Sequence, residues 1–160
     1  MNPMNKNRWT TAMRSTRRFL LLVMLVLGSY STINGAASAS STTEKTAMWM
    51  TVGEQRFTIT LTDSAAAQAL VGLLPLTLEM SDLNRNEKYA TLPQTLPAKA
   101  SRPGTIRNGD VMLYDTDTLV VFYKDFDSAY AYTRLGHIND TSSLAQALGP
   151  GSVQVTFTHD

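Results

Sequence analysis

Asp82-Leu83-Asn84-Arg85-Asn86-Glu87 places oxygen donors at alternate positions in a stretch that contains no glycine. That spacing mimics the first half of a calcium loop, whose early ligands fall at positions one, three and five. A calcium loop also needs glycine at position six and a bidentate acid at position twelve. Here those positions hold Glu87 and Pro93. The stretch therefore reads as a tight turn, with Asp82 and Asn84 bonding its backbone and Glu87 paired to a cation, and no metal is expected. A second constellation is aromatic. Tyr89, Tyr114, Tyr123, Tyr130 and Tyr132, with Arg134, can line an amphipathic pocket, because tyrosine couples stacking area to one polar handle and arginine pairs with carboxylate or amide oxygens. The same tyrosines at alternate strand positions can instead pack cross-strand.

Other chemistry finds less footing. His137 beside Asp140 can be drawn as a base, yet no serine or cysteine motif marks a nucleophile, and His159 sits in the C-terminal tail. His137 reads as a loop histidine near a turn aspartate. Glu79, Asp82 and Glu87 have no separation fixed by sequence, so no paired-carboxylate mechanism can be drawn from them. The chain has no cysteine, which removes thiol catalysis and thiolate metal sites and leaves no disulfide. No cofactor is expected.

The elements that must position these groups are mostly strands. Trp49 to Val52 and Arg56 to Leu61 are strand-like, with Gly53-Glu54 as the hairpin turn. Asp63 can cap a helix over Ser64 to Leu74, in which Ala66, Ala69, Leu70, Leu73 and Leu74 form one apolar stripe before Pro75 stops it. Leu74 to Met80 alternates as a half-buried strand that empties into the polar turn. Leu92 to Pro103 is proline-rich and reads as an extended connection, and Gly104 to Asp110 returns to the sheet. Val111 to Tyr114 and Leu119 to Tyr123 flank a second hairpin turn, Asp115 to Thr118. Their near-continuous apolar character predicts that both faces are covered. Ala129 to Leu135 predicts another strand, Asp140 or Thr141 can cap a short helix through Leu148, and Val153 to Phe157 alternates as a closing strand. The pattern predicts a mainly β fold: a closed barrel of about eight strands with two short helices, since closure removes exposed edges.

Residues 1–39 are expected to be a secretory signal rather than part of that domain. Lys6, Arg8, Arg14, Arg17 and Arg18 precede a wholly apolar run, Phe19 to Leu27, and Ala37-Ser38-Ala39 offers a small-residue cleavage site. The apolar run is shorter than the ~20 residues a spanning helix needs, and a retained N-terminal anchor is the alternative. Residues 40–46 read as a flexible linker and 47–160 as the folded domain. Across the chain there are 14 basic and 13 acidic residues, a formal +1. Five of the bases and none of the acids precede Ser40, which leaves nine bases against thirteen acids. The mature domain is thus mildly acidic, which argues against nucleic acid as a partner. After signal cleavage no membrane association is expected, and the location is periplasmic or extracellular.

Laid side by side, Leu74-Pro75-Leu76, Met80-Ser81-Asp82-Leu83-Asn84, Asn86-Glu87-Lys88-Tyr89, Pro103-Gly104-Thr105-Ile106, Gly109 to Tyr114, Phe122-Tyr123 and Tyr132 to Gly136 resemble a small bacterial cyclophilin-like domain over residues 49 to 158. The resemblance implies a closed barrel with two flanking helices and no particular reaction. Members of that family usually carry glycine where this chain has Arg85. True cyclophilins are prolyl isomerases that use the arginine of a Phe-His-Arg motif, and that triplet does not occur in this sequence. The reading adopted is an exported domain that binds a small molecule or extended peptide in a groove formed by Glu87, Tyr89, Tyr114, Tyr132 and Arg134. Glutamate and arginine would fix polar ends and tyrosines would form the walls. The alternatives are a peptidyl-prolyl isomerase with a degenerate site, for which Arg134 would supply the cation, and a non-enzymatic interaction module of the cell envelope.

Overall fold

The computed structural model describes Thr46 to His159. The expected signal, and all but the last residue of the expected linker, lie outside the described residues. In chain order the elements are β1 (Ala47–Val52), β2 (Gln55–Leu61), α1 (Ala65–Val71), β3 (Leu76–Leu83), β4 (Glu87–Thr91), β5 (Gly104–Ile106), β6 (Asp110–Tyr114), β7 (Thr118–Phe122), β8 (Phe126–Ser128), β9 (Thr133–Ile138), α2 (Leu144–Leu148) and β10 (Val153–Thr158). Eight strands close into an antiparallel barrel in the order β1-β10-β3-β4-β7-β6-β9-β2, while β5 and β8 form a separate two-stranded ribbon. No described helix is long and apolar enough to cross a membrane.

Alternation sorts each strand into an inner and an outer set. Met48, Met50, Ile59, Met80, Val111, Leu113, Leu119, Val121, Val155 and Phe157 belong to the main core, which Ala66, Ala67 and Leu70 of α1 and Leu144 and Leu148 of α2 join. Met112, Val120 and Phe122 lie on the opposite face of β6 and β7, in a second cluster with Ile106 and Tyr132. The double coverage expected for β6 and β7 is therefore present, and the strands behind it are β5 and β8, paired from Gly104↔Ser128 to Ile106↔Phe126.

Four local expectations need correction. Helix α1 ends at Val71, and its cap is Ser64, whose hydroxyl accepts from Ala67 N at 3.2 Å, rather than Asp63. Asp63 instead accepts from Gln68 Nε2. Gly104 to Ile106 joins the ribbon rather than the barrel. The strand expected over Ala129 to Leu135 begins at Thr133 and runs to Ile138, so His137 is a strand residue. Between β3 and β4, Asn84 and Arg85 both take positive φ, 54° and 57°, closing a two-residue turn with Asn86 N donating to Leu83 O. Primed hairpin turns demand that conformation at both central residues. Arg85 adopts it where glycine would do so without the ~1–2 kcal/mol penalty of a side chain. Asp82 supports the turn as expected, accepting from Arg85 N at 3.1 Å.

The partner of Asp82 was not expected. Lys88 points into the barrel with no exposed surface. Its Nζ donates to Asp82 Oδ2 at 2.7 Å, to Gly149 O at 2.8 Å and to Gly151 O at 2.5 Å. Tyr123 Oη donates to the same Asp82 oxygen at 2.5 Å. All three ammonium protons thus have acceptors, two of them in the loop that leads from α2 to β10. Bonds from Lys88 and Tyr123 hold the Asp82 carboxyl below its ordinary value, outweighing desolvation. Removing one member of a buried pair strands the other. Lys88→Met is expected to destabilise the protein by about 3 kcal/mol in urea unfolding at neutral pH. Lys88→Met with Asp82→Leu should recover part of that loss. An unchanged midpoint in the single variant would show that the ammonium matters only for its volume.

Candidate functional site

On β4 the residue before the inward Lys88 must face outward, and that residue is Glu87. It opens a cavity of ≈ 510 Å³ on the outside of the barrel, between the β4–β7–β6 wall and the chain around β8. This volume lies in the range of small-molecule sites. Leu83, Asn84 and Asn86 come from the β3–β4 turn, Tyr89 from β4, Tyr114 from β6 and Thr118 and Val120 from β7. The stretch from Phe126 through Tyr130, with Tyr132, closes the far side. Leu83, Tyr89, Tyr114 and Tyr130 are the large apolar residues left exposed among the described residues, and all four line this one cavity. An apolar surface concentrated in a concavity marks a contact site more than scattered exposed residues do.

The rings form a connected set. Tyr114 meets Tyr130 edge-on at 6.3 Å and 84°, and meets Tyr132 at 5.7 Å and 58°. Tyr132 in turn stands edge-on to Phe122 at 5.4 Å. Tyr132 is buried and Tyr114 is exposed, so one anchors the wall and the other forms its rim. A backbone bridge from Tyr132 to Ser101 pins the anchor to the long connection after β4.

Glu87 is 8 % exposed. Among the described residues no hydrogen-bond donor reaches its carboxyl group, and the cation expected to pair with it is absent, since the neighbouring lysine turns inward to Asp82. Burial, and then the Asp82 charge, push the Glu87 carboxyl up from 4.5 to about 7. Desolvation, and then Glu87, also raise the Tyr132 phenol. The side-chain oxygen of the adjacent Asn86 is fully buried and has no partner among the described residues, whereas the Glu87 carboxyl keeps its remaining surface toward the cavity. No group of three or more histidine, cysteine, aspartate or glutamate side chains gathers among the described residues in a way that could hold a metal.

Of the five residues expected to form the groove, Glu87, Tyr89, Tyr114 and Tyr132 line this cavity and Arg134 does not. Arg134 Nη1 is held at 2.6 Å by Asp110 Oδ1, a buried carboxylate that also accepts from Arg107 N and lies 3.2 Å from His137 Nδ1. The partner of His137 is thus Asp110 rather than Asp140. Asp140 accepts from Ser142 N, which lowers its carboxyl. Sequence reasoning missed Leu83, Asn86, Val120 and Phe126 in the cavity. Three of them looked like ordinary strand or turn residues, and Phe126 belongs to a ribbon that short-range patterning does not reveal.

A closed antiparallel barrel with two short helices and a side cavity on its outer wall defines the class of protein. Residues 50–158 match the cyclophilin-like family, and the chain belongs to it. No functionally curated protein matches the chain. The solution structure of a hypothetical protein from Archaeoglobus fulgidus is similar at 14 % sequence identity and a TM-score of 0.49, covering 72 % of this chain and 95 % of that one.

The Glu87 environment has a consequence for stability. A carboxyl raised on folding makes the native state bind more protons than the unfolded state between the two values, so stability falls as pH rises from 4.5 to about 7. Glu87→Gln removes the charge and keeps the shape. The variant should exceed the wild type by on the order of 2 kcal/mol at neutral to mildly alkaline pH and match it below the unfolded value. Parallel pH series of urea unfolding check this. A difference that persists unchanged into acid would mean that Glu87 is not the titrating group.

Proposed function

We propose that this protein is an exported binding domain that takes a small molecule or an extended peptide into the cavity beside β4. The observation that carries this reading is the largely buried Glu87 carboxyl, which no donor reaches among the described residues, in a cavity that also collects the exposed large apolar side chains. A buried ionisable group without a partner costs stability. A ligand that supplies the missing bonds offsets that cost. Export draws its support from the basic segment, apolar run and Ala37-Ser38-Ala39 site at the N-terminus. N-terminal sequencing of protein recovered from outside the cytoplasm should begin at Ser40, and recovery only of the uncleaved chain in membranes would favour the anchor instead.

Isomerase chemistry by the arginine route gains no support from this geometry. Lowering a barrier of ~18–20 kcal/mol requires a positioned cation over the twisting amide. Among the described residues no lysine, arginine or histidine lines the cavity, and Arg134 is engaged by Asp110.

A ligand that enters the cavity stabilises the fold by RT ln(1 + [L]/Kd). Thermal denaturation against a panel of metabolites and short peptides should therefore give at least one hit. Tyr114→Ala trims an exposed wall, so it should fold normally and weaken that hit about tenfold, in line with loss of one aromatic contact. Arg134→Ala acts on the Asp110 cluster and should leave the hit in place. The opposite pattern, with Arg134→Ala abolishing the shift and Tyr114→Ala sparing it, would move the site to the Asp110 side of the barrel.

A further inference from the structure

We infer that the ligand of this cavity carries an organic ammonium group on an apolar body, with Glu87 as its counter-ion and the tyrosine rings as its walls. This deepens the binding reading above and rests on it. Charge is the first argument. Among the described residues the lining includes two acids, Glu87 and Asp127, and no lysine, arginine or histidine. An anionic ligand would meet uncompensated repulsion there. A neutral ligand would leave the Glu87 charge unanswered.

Hydrogen bonding is the second argument. A protonated primary amine has three N–H bonds to donate and no lone pair. The cavity offers the Glu87 carboxyl, which no donor reaches among the described residues. Ring geometry is the third. Tyr114, Tyr130 and Tyr132 stand at steep mutual angles, 84° for one pair and 58° for the other. Tyr89, Tyr114 and Tyr130 keep exposed ring surface at the cavity, and an ammonium group over such a ring face is attracted by its quadrupole. Asp127 accepts from Thr105 Oγ1 at 2.8 Å, so Glu87 is the carboxyl left free to pair. An inorganic cation fits poorly, because calcium or magnesium would require six or more oxygen ligands.

The ammonium could be that of a free amine or of a lysine side chain, and the two sources are separable. The probes are phenethylammonium with its neutral and anionic counterparts, phenethyl alcohol and hydrocinnamate, and a blocked lysine-containing peptide with its Nε-acetyl-lysine counterpart. Binding is read by NMR shifts of Tyr114 and Tyr130 and by thermal shift. One or both ammonium probes should bind at least tenfold more tightly than the uncharged and anionic counterparts. Glu87→Gln should erase that preference while Tyr114→Ala weakens the ammonium probe. Affinity should also rise with pH until Glu87 is ionised and then level off, with Asp82 on β3, Tyr123 after β7 and Tyr132 before β9 as the other titratable groups that shape its field. Which ammonium probe binds identifies the source. If the alcohol moves the same tyrosine signals as strongly, and Glu87→Gln binds both alike, the cavity stands as a binding site and the ammonium inference fails. If no probe moves those signals at millimolar concentration, both fail.

Discussion

The ammonium of Lys88 lies inside the barrel with no contact with water, and a charge in that position is tolerable only when every one of its protons has an acceptor. Asp82 supplies one acceptor and the carbonyls of Gly149 and Gly151 supply the others. This requirement reaches across the fold. It fixes the β3–β4 pairing at Asp82↔Lys88, ties the loop after α2 to the barrel wall, and recruits the Tyr123 hydroxyl. It also decides what happens on the other face. Strand alternation turns Glu87 outward because Lys88 is turned inward, so the nearest lysine in sequence cannot neutralise it. Burial, and then the negative field of Asp82, push this outward carboxyl up to about 7. The stabilised charge inside and the unpartnered carboxyl outside are two sides of one strand.

The second constraint is the near-continuous apolar run in each strand of the β6–β7 hairpin. A barrel strand normally shows one face to the core and one to solvent, but Val111, Leu113, Leu119 and Val121 face inward while Met112, Val120 and Phe122 are also buried on the outside. Something must cover that outer face. The β5–β8 ribbon does so in part, with Ile106 and Phe126 packed on it, and the Tyr132 ring extends the cover. Where the cover stops short of β4, the wall and the ribbon leave the cavity between them.

Much of the barrel was legible because its strands alternate and its hairpins carry short polar turns. The Gly53-Glu54 turn and the closing strand fell where expected, and the turn expected over Asp115 to Thr118 ends one residue earlier because Thr118 opens β7. What misled was local imitation. Tyr130 and Tyr132 alternate like strand residues, yet Ala129 to Ala131 is not in a strand. The true β9 contains Gly136 and His137, which read as breakers. Gly136 is there because a side-chain carbon would come within 2.6 Å of Thr60 O on the adjacent strand β2. Glu87 and Tyr89 could be placed together because residues two apart on β4 share a strand face, whereas Tyr114 and Tyr132 reach the same cavity from β6 and from the chain before β9. Arg134 was chosen for its chemistry, as a cation to fix a polar end, but its partner is Asp110 on the neighbouring strand β6. Lys88 gave no signal, since a lysine in a strand ordinarily belongs to the solvent face.

The position of the cavity follows from the size of the barrel. Eight strands enclose an interior just wide enough for side chains. Here Met48, Met50, Ile59, Met80, Leu113 and Phe157 fill it with no exposed surface, while Leu70 of α1 and Lys88 occupy buried positions beside them. No ligand enters such an interior without unpacking it. A site on this fold must be built on an outer wall, which needs an element that stands off from the barrel and side chains that face away from the core. The ribbon provides the first and the outward set of β4, β6 and β7 provides the second. The barrel can then keep its packing whatever stands in the cavity, because Glu87, Tyr89 and Tyr114 face away from the main core.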